Sequence, residues 1–301
     1  MNSIQTITNI RIYRRKDGTL SRDLDRLKSH IYSIKKQIGG FDIDIVIGDS
    51  SYDDDIKDEI KKVCLDMGAQ YVFNGALDLF NRGISINKTF LKYNKKTDFI
   101  VLFDLDHVIV DNLFEVFLKN TEEGKLLTCG IHFLTKSKVD FDEINPSLVK
   151  HLKRDELRRF GTAKGLQFWR YDDFVDYGGV DANFNLYCGT DDEILYRMDR
   201  SSNVNLPTEP MAFHINHEKM ILPKYGDLCG RFCQINRYYL TRFTKSFKKQ
   251  NNLTKDINYL CYDPKRHEIY WGTENNVLID EENFLALSDV DIINLYLENR
   301  K

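Results

Sequence analysis

Along roughly its first 120 residues the chain alternates nearly continuous apolar runs with stretches whose apolar residues recur every three to four positions. The runs at 4–13 (IQTITNIRIY), 41–51 (FDIDIVIGDSS), 69–74 (AQYVFN) and 98–106 (DFIVLFDLD) predict strands. The recurrent pattern of Leu24, Leu27, Ile31 and Ile34 predicts a helix over 24–38, ended by Gly39 and Gly40. Further helices are expected over 54–67, stopped by Gly68, and over 81–91. Apolar strands separated by helices imply a mostly parallel sheet covered on both faces, an α/β fold. Ligands of such sheets gather at the carboxyl ends of the strands. Asp49 and Asp104 both fall at such ends.

The middle of the chain is less regular. KLLTCGIHFL (125–134) predicts a strand, and HLKRDELRRF (151–160) a short charged helix. GTAKGLQFWRYDDFVDYGG reads as a strand, a turn and a short helix beside a binding surface. A helix is expected from Asp191 through EILYRM. Residues 228–250 hold six basic residues and no acidic one, and are expected to be helical. From Asn251 onward, short strands and a last helix at DVDIINLYLENR are expected. No repeat and no clean linker divides the chain.

Composition narrows the picture without pointing to a chemistry. With 42% hydrophobic and 30% charged residues, the chain is that of a folded protein. A formal net charge of -3 gives no global reason to expect a nucleic-acid partner. Cys64, Cys129, Cys188, Cys229, Cys233 and Cys261 form no CxxC pair, so free thiols in a reducing compartment are expected rather than a zinc site. The N-terminal stretch lacks a signal-peptide core, and no apolar run reaches roughly 18 residues. A cytoplasmic protein is expected, touching membrane at the surface only.

The chemistry begins at FDLD. Residues i and i+2 of a strand share a face, so Asp104 and Asp106 lie within reach of one small site. Two carboxylates repel each other, and desolvation sharpens the conflict. A divalent cation with hard oxygen ligands, Mg²⁺ or Mn²⁺, resolves it. Taken alone, such a pair is also what a solvated turn looks like. A second acidic cluster, Asp191, Asp192 and Glu193 in YCGTDDEILYRM, opens a helical pattern. It is either an acidic cap at a helix N-terminus or the seat of a general base. MAFHINHEK adds His214 and His217, either of which would complete a metal shell.

These stretches, in this order, resemble inverting glycosyltransferases of the GT-A fold. The resemblance is to the β-1,4-galactosyltransferase group and to bacterial capsule- and chondroitin-polymerising transferases. FNRGISIN (80–87) followed by DFIVLFDLDHVIVDN carries it in type, order and spacing. The resemblance implies Asp104 near the ribose or the metal and Asp106 as direct ligand of the metal that meets the diphosphate. Arg82 and Asn87 would line the nucleotide or diphosphate side. Asp49 would lie near the uracil or ribose, and Arg11 would approach the nucleotide from the first strand. Gly178 and Gly179 match the family's double glycine. Thr190 stands where the family has glutamate, Asp191 takes the base position, and Asp192 follows on the acceptor side. His214 matches the later metal-binding histidine, with His217 its rival. Trp169 and Tyr187 either pack the core or stack on sugar faces.

The implied protein is a metal-dependent hexosyltransferase. It would take a UDP-sugar with Mn²⁺ or Mg²⁺ and a glycan or lipid-linked saccharide as acceptor. Residues 1–225 would be the transferase domain, with its nucleotide-sugar half at 1–120 and its acceptor half at 121–225; residues 226–301 would be an extension. The basic run 228–250 is a solvated helix face, a rest on anionic lipid, or a grip on an acidic glycan. Two other classes stay open: a non-catalytic carbohydrate-binding protein, and a metal-dependent nucleotidyl or phosphoryl transferase. A P-loop enzyme is excluded, since no GxxxxGK[ST] occurs.

Overall fold

The alternation of the first four strands sorts their side chains onto two helical layers. The computed structural model describes residues 1–14, 18–20, 24–37, 39–75, 81–93, 95–135, 157–180, 190–191, 203–216, 260–263, 268–271 and 278–280. β1 (Ser3–Ile10), β2 (Asp42–Asp49), β3 (Gln70–Phe73) and β4 (Phe99–Phe103) are parallel, in the order β3-β2-β1-β4. Ile4 and Ile10 of β1 share a core with Val101 and Phe103 of β4. That core is closed by α1 (Leu24–Lys35) through Leu27, Ile31 and Ile34, and by α2 (Asp54–Asp66) through Ile56, Ile60 and Cys64. The intervening Ile7, Ile100 and Leu102 face the other way, as a period of two requires. They meet Ile84, Ile86, Phe90 and Leu91 of α3 (Arg82–Tyr93).

The chain thus winds outward from β1 to β3, then returns to lay β4 on the opposite side of β1. The crevice outside the strand ends at such a reversal is where open α/β sheets bind ligands. Among the cysteines, Cys64 and Cys129 are free and buried, and burial raises both thiol pKa values, that of Cys64 to about 12. Neither has thiolate character for chemistry.

α3 is buried along its whole length from Arg82 to Leu91, unlike a helix with one wet face. The sheet covers one side, and α5 (Tyr171–Asp176), reaching on to Val180, covers another through Phe174 and Val180. Its polar side chains are satisfied inside. Ser85 and Thr89 donate to Asn9 Oδ1 at 3.1 and 2.9 Å, and Asn74 Nδ2 donates to Thr89 Oγ1 at 2.8 Å. Gly48 makes this approach feasible, because a Cβ there would stand 1.9 Å from Thr89 Oγ1.

Beyond β4 the sheet changes character. β5 (His107–Ile109), α4 (Leu113–Asn120), β6 (Leu126–Leu134), β7 (Leu157–Thr162), β8 (Gln167–Arg170) and β9 (Asn203–His214) follow. The order continues β4-β8-β6-β9-β5, with β7 also on β6. β8 is antiparallel to β4, β5 antiparallel to β9, and β6 parallel to β9. The parallel sheet read from the sequence is therefore its first half, completed by strands of mixed direction. The charged helix expected over 151–160 is corrected in its last four residues: from Leu157 to Thr162 the chain is a strand on β6, and residues 151–156 lie outside the described residues. The open edge of β6 offers backbone pairing, which overrides the segment's helical propensity. Residues 228–250 lie outside the described residues; farther on, β10 (Leu260–Asp263), β11 (Glu268–Trp271) and β12 (Leu278–Asp280) form a small antiparallel sheet. Among the described residues no helix is long and apolar enough to cross a membrane.

One polar residue ties α1 to the sheet. His30 lies on the buried face of α1, with Nε2 2.7 Å from Thr8 Oγ1 and Nδ1 2.6 Å from the His107 carbonyl oxygen. A carbonyl only accepts, so Nδ1 carries the proton and Nε2 accepts from the Thr8 hydroxyl. The ring is neutral, and burial pulls its pKa down to about 4. Unfolded, it takes up a proton near pH 6.5; folded, it does so only near pH 4. Acidification through that window therefore favours the unfolded chain. Between pH 7 and pH 5, wild type is expected to lose roughly 2 kcal/mol more stability than His30→Asn. Urea unfolding of both proteins at the two pH values measures the difference.

Candidate active site

The turn that carries FDLD is held at both ends. After β4, the His107 N–H donates to the Asp104 carbonyl at 3.1 Å, closing the turn. Leu105 points into the core, so Asp104 and Asp106 face away from it. β5 then starts at His107, whose cross-strand partner on β9 is His214. The Ile215 N–H donates to the Asp106 carbonyl at 2.9 Å. Strand pairing thus delivers a histidine from late in the chain to the second aspartate: His214 Nε2 is 3.4 Å from Asp106 Oδ2.

The first aspartate is held by a guanidinium. Asn81 Oδ1 accepts from the Ile84 N–H at 2.9 Å, starting α3 in the manner of an N-cap. Arg82, on the first turn, is only 8% exposed. Its Nε donates to Asp104 Oδ1 at 2.9 Å and its Nη2 to the Gly165 carbonyl at 3.1 Å. Nη1 lies 2.6 Å from Asp191 Oδ1. Burial disfavours the guanidinium charge, but Asp104 and Asp191 outweigh it and raise the pKa above its ordinary value. Arg82 therefore bridges the strand-end turn and the later acidic cluster.

Four of the expected residues, Arg82, Asp104, Asp106 and Asp191, meet here, with His214 beside them. One residue joins that was not expected. Asp104, Asp106 and His107 present ligand atoms that all lie within 4.8 Å of one another. His107 Nε2 is 3.9 Å from Asp106 Oδ1. The signal in the sequence is the H of FDLDH, which meets a second histidine only through the β5–β9 register. Two carboxylates and an imidazole, with the His214 ring beside Asp106, suit Mn²⁺ and other first-row divalent ions, and suit Mg²⁺ less well. The donor set fits a divalent cation. Gly165 leaves it room, because a Cβ there would stand 1.9 Å from Asp104 Oδ2.

Other expected residues are placed differently. Asn87 was expected on the nucleotide side, but its amide is committed to backbone. Nδ2 donates to the Val180 carbonyl at 2.8 Å and Oδ1 accepts the Val180 N–H at 3.1 Å. It clamps the turn of Gly178 and Gly179, whose φ angles of 76° and 72° suit glycine. Trp169, weighed as a sugar platform, is 1% exposed and packs on Phe174 and Tyr177, so the core reading holds. Asp49 sits at the end of β2 as expected, with its carboxylate turned inward. It accepts from the Ser51 N–H at 2.9 Å and the Tyr71 hydroxyl at 2.8 Å, and burial raises its pKa. Arg11 follows β1, its guanidinium carbon 5.8 Å from the centre of the Tyr52 ring. Tyr52, absent from the sequence reading, is the exposed partner of that pair. Tyr187, Asp192 and His217 lie outside the described residues.

No family model and no curated protein matches the chain. Solved structures do. GalNAc-T7, in a crystal structure with UDP, GalNAc and Mn²⁺, matches with a TM-score of 0.50 and 11% identity over 83% of this chain and 51% of that one. The fold is GT-A. The chain spans about half the length of GalNAc-T7. Glucosyl-3-phosphoglycerate synthase from Mycobacterium tuberculosis, with Mn²⁺, UDP-glucose and phosphoglyceric acid, matches at TM-score 0.46 and 14% identity, over 78% of this chain and 77% of that one. The mannosyltransferase PcManGT from Pyrobaculum calidifontis, with GDP-Man and Mn²⁺, matches at 0.48 and 11% identity, over 98% and 73%.

The tight fit at Gly165 is testable. Gly165→Ala is expected to displace the Asp104 carboxylate and weaken Mn²⁺ binding by roughly tenfold or more. Tm is expected to move by no more than a few degrees. Calorimetric titration with Mn²⁺ and a thermal melt on the same sample check both halves.

Proposed function

We propose that the chain is a metal-dependent inverting glycosyltransferase, moving a hexose or N-acetylhexosamine from a UDP-sugar to a saccharide hydroxyl. One observation carries the reading: a single guanidinium, Arg82, holds both Asp104 of the strand-end pair and Asp191 of the later acidic cluster. Residues assigned to the donor and to the acceptor proton thereby stand side by side on a GT-A fold. UDP and Mn²⁺ accompany GalNAc-T7 in its crystal structure, which supports the same donor class here.

Asp104, Asp106, His107 and His214 would hold the divalent ion, which offsets the charge gathering on the departing diphosphate. Asp191, about a third exposed, reaches the open side of the site. It acts as general base, taking the proton of the acceptor hydroxyl as that oxygen attacks the anomeric carbon. The bond from that carbon to the UDP oxygen breaks, UDP leaves with the electron pair, and configuration inverts. No covalent sugar–protein species is required. Arg82 supports ionised Asp191 and keeps a positive charge next to the diphosphate. Arg11 and Tyr52, at the ends of β1 and β2, offer a face for the nucleobase. A lipid-linked acceptor and a membrane-surface role for the basic run 228–250 belong to the same reading, at the cytoplasmic face.

Two substitutions separate binding from chemistry. Asp191→Asn is expected to retain Mn²⁺-dependent UDP binding while turnover falls roughly 10²- to 10⁴-fold. Asp106→Asn is expected to lose the metal-dependent binding itself. Calorimetry of UDP with and without Mn²⁺, and transfer or hydrolysis across a panel of UDP-sugars, measure the two. UDP binding indifferent to both Mn²⁺ and Asp106 would sink the metal assignment. Undiminished turnover in Asp191→Asn would place the base elsewhere.

A further inference from the structure

His30 belongs to α1, remote in sequence from every residue of the site, yet it touches both ends of the turn that carries the site. At the near end its ring packs edge-on against Phe103, the residue before Asp104, with centroids 5.2 Å apart and planes at 75°. At the far end its Nδ1–H donates to the His107 carbonyl at 2.6 Å. Its third contact, the Thr8 hydroxyl at 2.7 Å, is on β1 directly opposite Phe103 in the parallel ladder. The ring is fully buried, and both nitrogens are engaged with fixed roles. Its orientation is set by β1, and through it the span from residue 103 to residue 107.

That span has little freedom left. The Asp104 carbonyl is taken by the His107 N–H, the Asp106 carbonyl by the Ile215 N–H, and the His107 carbonyl by His30. The first two bonds belong to the turn and to strand pairing. The third fixes the peptide plane just after His107, and with it the direction in which the His107 ring leaves the strand. A carbonyl in that position with no donor would be a buried acceptor lacking a partner, at a cost of about 1–3 kcal/mol. It would turn to find one, carrying the ligand atoms with it.

We propose that His30 is a positioning residue, which clamps the two ends of the 103–107 turn and so sets the spacing of the Asp104, Asp106 and His107 ligand atoms. The inference rests on the reading of that turn as a divalent-cation site. It predicts that metal affinity follows one specific hydrogen bond rather than the general stability of α1.

Two near-isosteric replacements divide the contacts of His30. The amide nitrogen of asparagine overlies Nδ1 and keeps a donor for the His107 carbonyl. The amide of glutamine overlies Nε2 and keeps only the Thr8 side. The full chain is titrated with Mn²⁺ alone by calorimetry, alongside Asp106→Asn. A saturable site in wild type that Asp106→Asn removes establishes the cation site; its absence overturns that reading and this inference together. Given the site, His30→Asn is expected to bind Mn²⁺ within a few-fold of wild type, and His30→Gln roughly 10- to 100-fold more weakly. Thermal melts of the two variants are expected to agree. Equal affinities in both variants, or the reverse order, overturn the clamp and leave the cation site standing. If neither variant folds, wild type decides. In histidine-labelled protein, the His30 Nδ1 proton is expected to shift as Zn²⁺, a diamagnetic probe, saturates the site. An unmoved resonance overturns the inference.

Discussion

A guanidinium buried at the start of a helix organises this molecule. Arg82 is reached by Asp104 from the end of β4, by the Gly165 carbonyl from the segment before β8, and by Asp191 from the later acidic cluster. Taking an arginine out of water is costly unless its donors are met by charge in good geometry. Here the carboxylates also need the cation, since they would otherwise face one another at close range. Each side of the arrangement makes the other tolerable. Arg82 is buried and the two carboxylates are about a third exposed, so the charge left uncompensated by losing a carboxylate would be the guanidinium's.

The guanidinium can serve this way only because α3 is immobilised beneath it. A helix with one wet face would rely on apolar contacts along a single stripe. α3 instead has Ser85 and Thr89 bonded to Asn9 and Asn74, in a layer that closes over the missing side chain of Gly48. On its far side, Asn87 holds the backbone of Val180. Hydrogen bonds fix rotation and register more sharply than apolar packing does. The helix thus presents Arg82 from a defined height and angle, as a site built on rigid elements requires.

The sequence made the first half of the sheet legible because its strands and helices carry distinct apolar periods. It also put forward Asp104, where an apolar run ends, together with Asp106, Asp191 and His214, and the fold brings these four close to one another. What stayed hidden depends on partners far along the chain. Nothing in the spacing of FDLDH shows that His107 will face His214; the β5–β9 register decides that. Asn87 has the composition of a ligand-binding residue, and only the position of Val180 shows that its amide is engaged. Asp49 was placed at the correct strand end, but Tyr71 and Ser51 turn its carboxylate inward. Trp169 pairs across to Ile100, and that ladder sends its ring into the core. The stretch from Leu157 to Phe160 reads as the end of a charged helix and is a strand because β6 offers it backbone partners.

The ladder joining β5 to β9 is three residue pairs long, and it brings together the two histidines of the site. It is also one of the most sequence-distant pairings in the sheet. Contacts of that kind form only after the loop between them has closed, so they come late as a chain folds. The ligand set is therefore a product of the finished sheet, with no counterpart in a partly ordered chain. A molecule that binds there binds the native state alone, and by mass action its concentration adds directly to the resistance of the whole fold to unfolding.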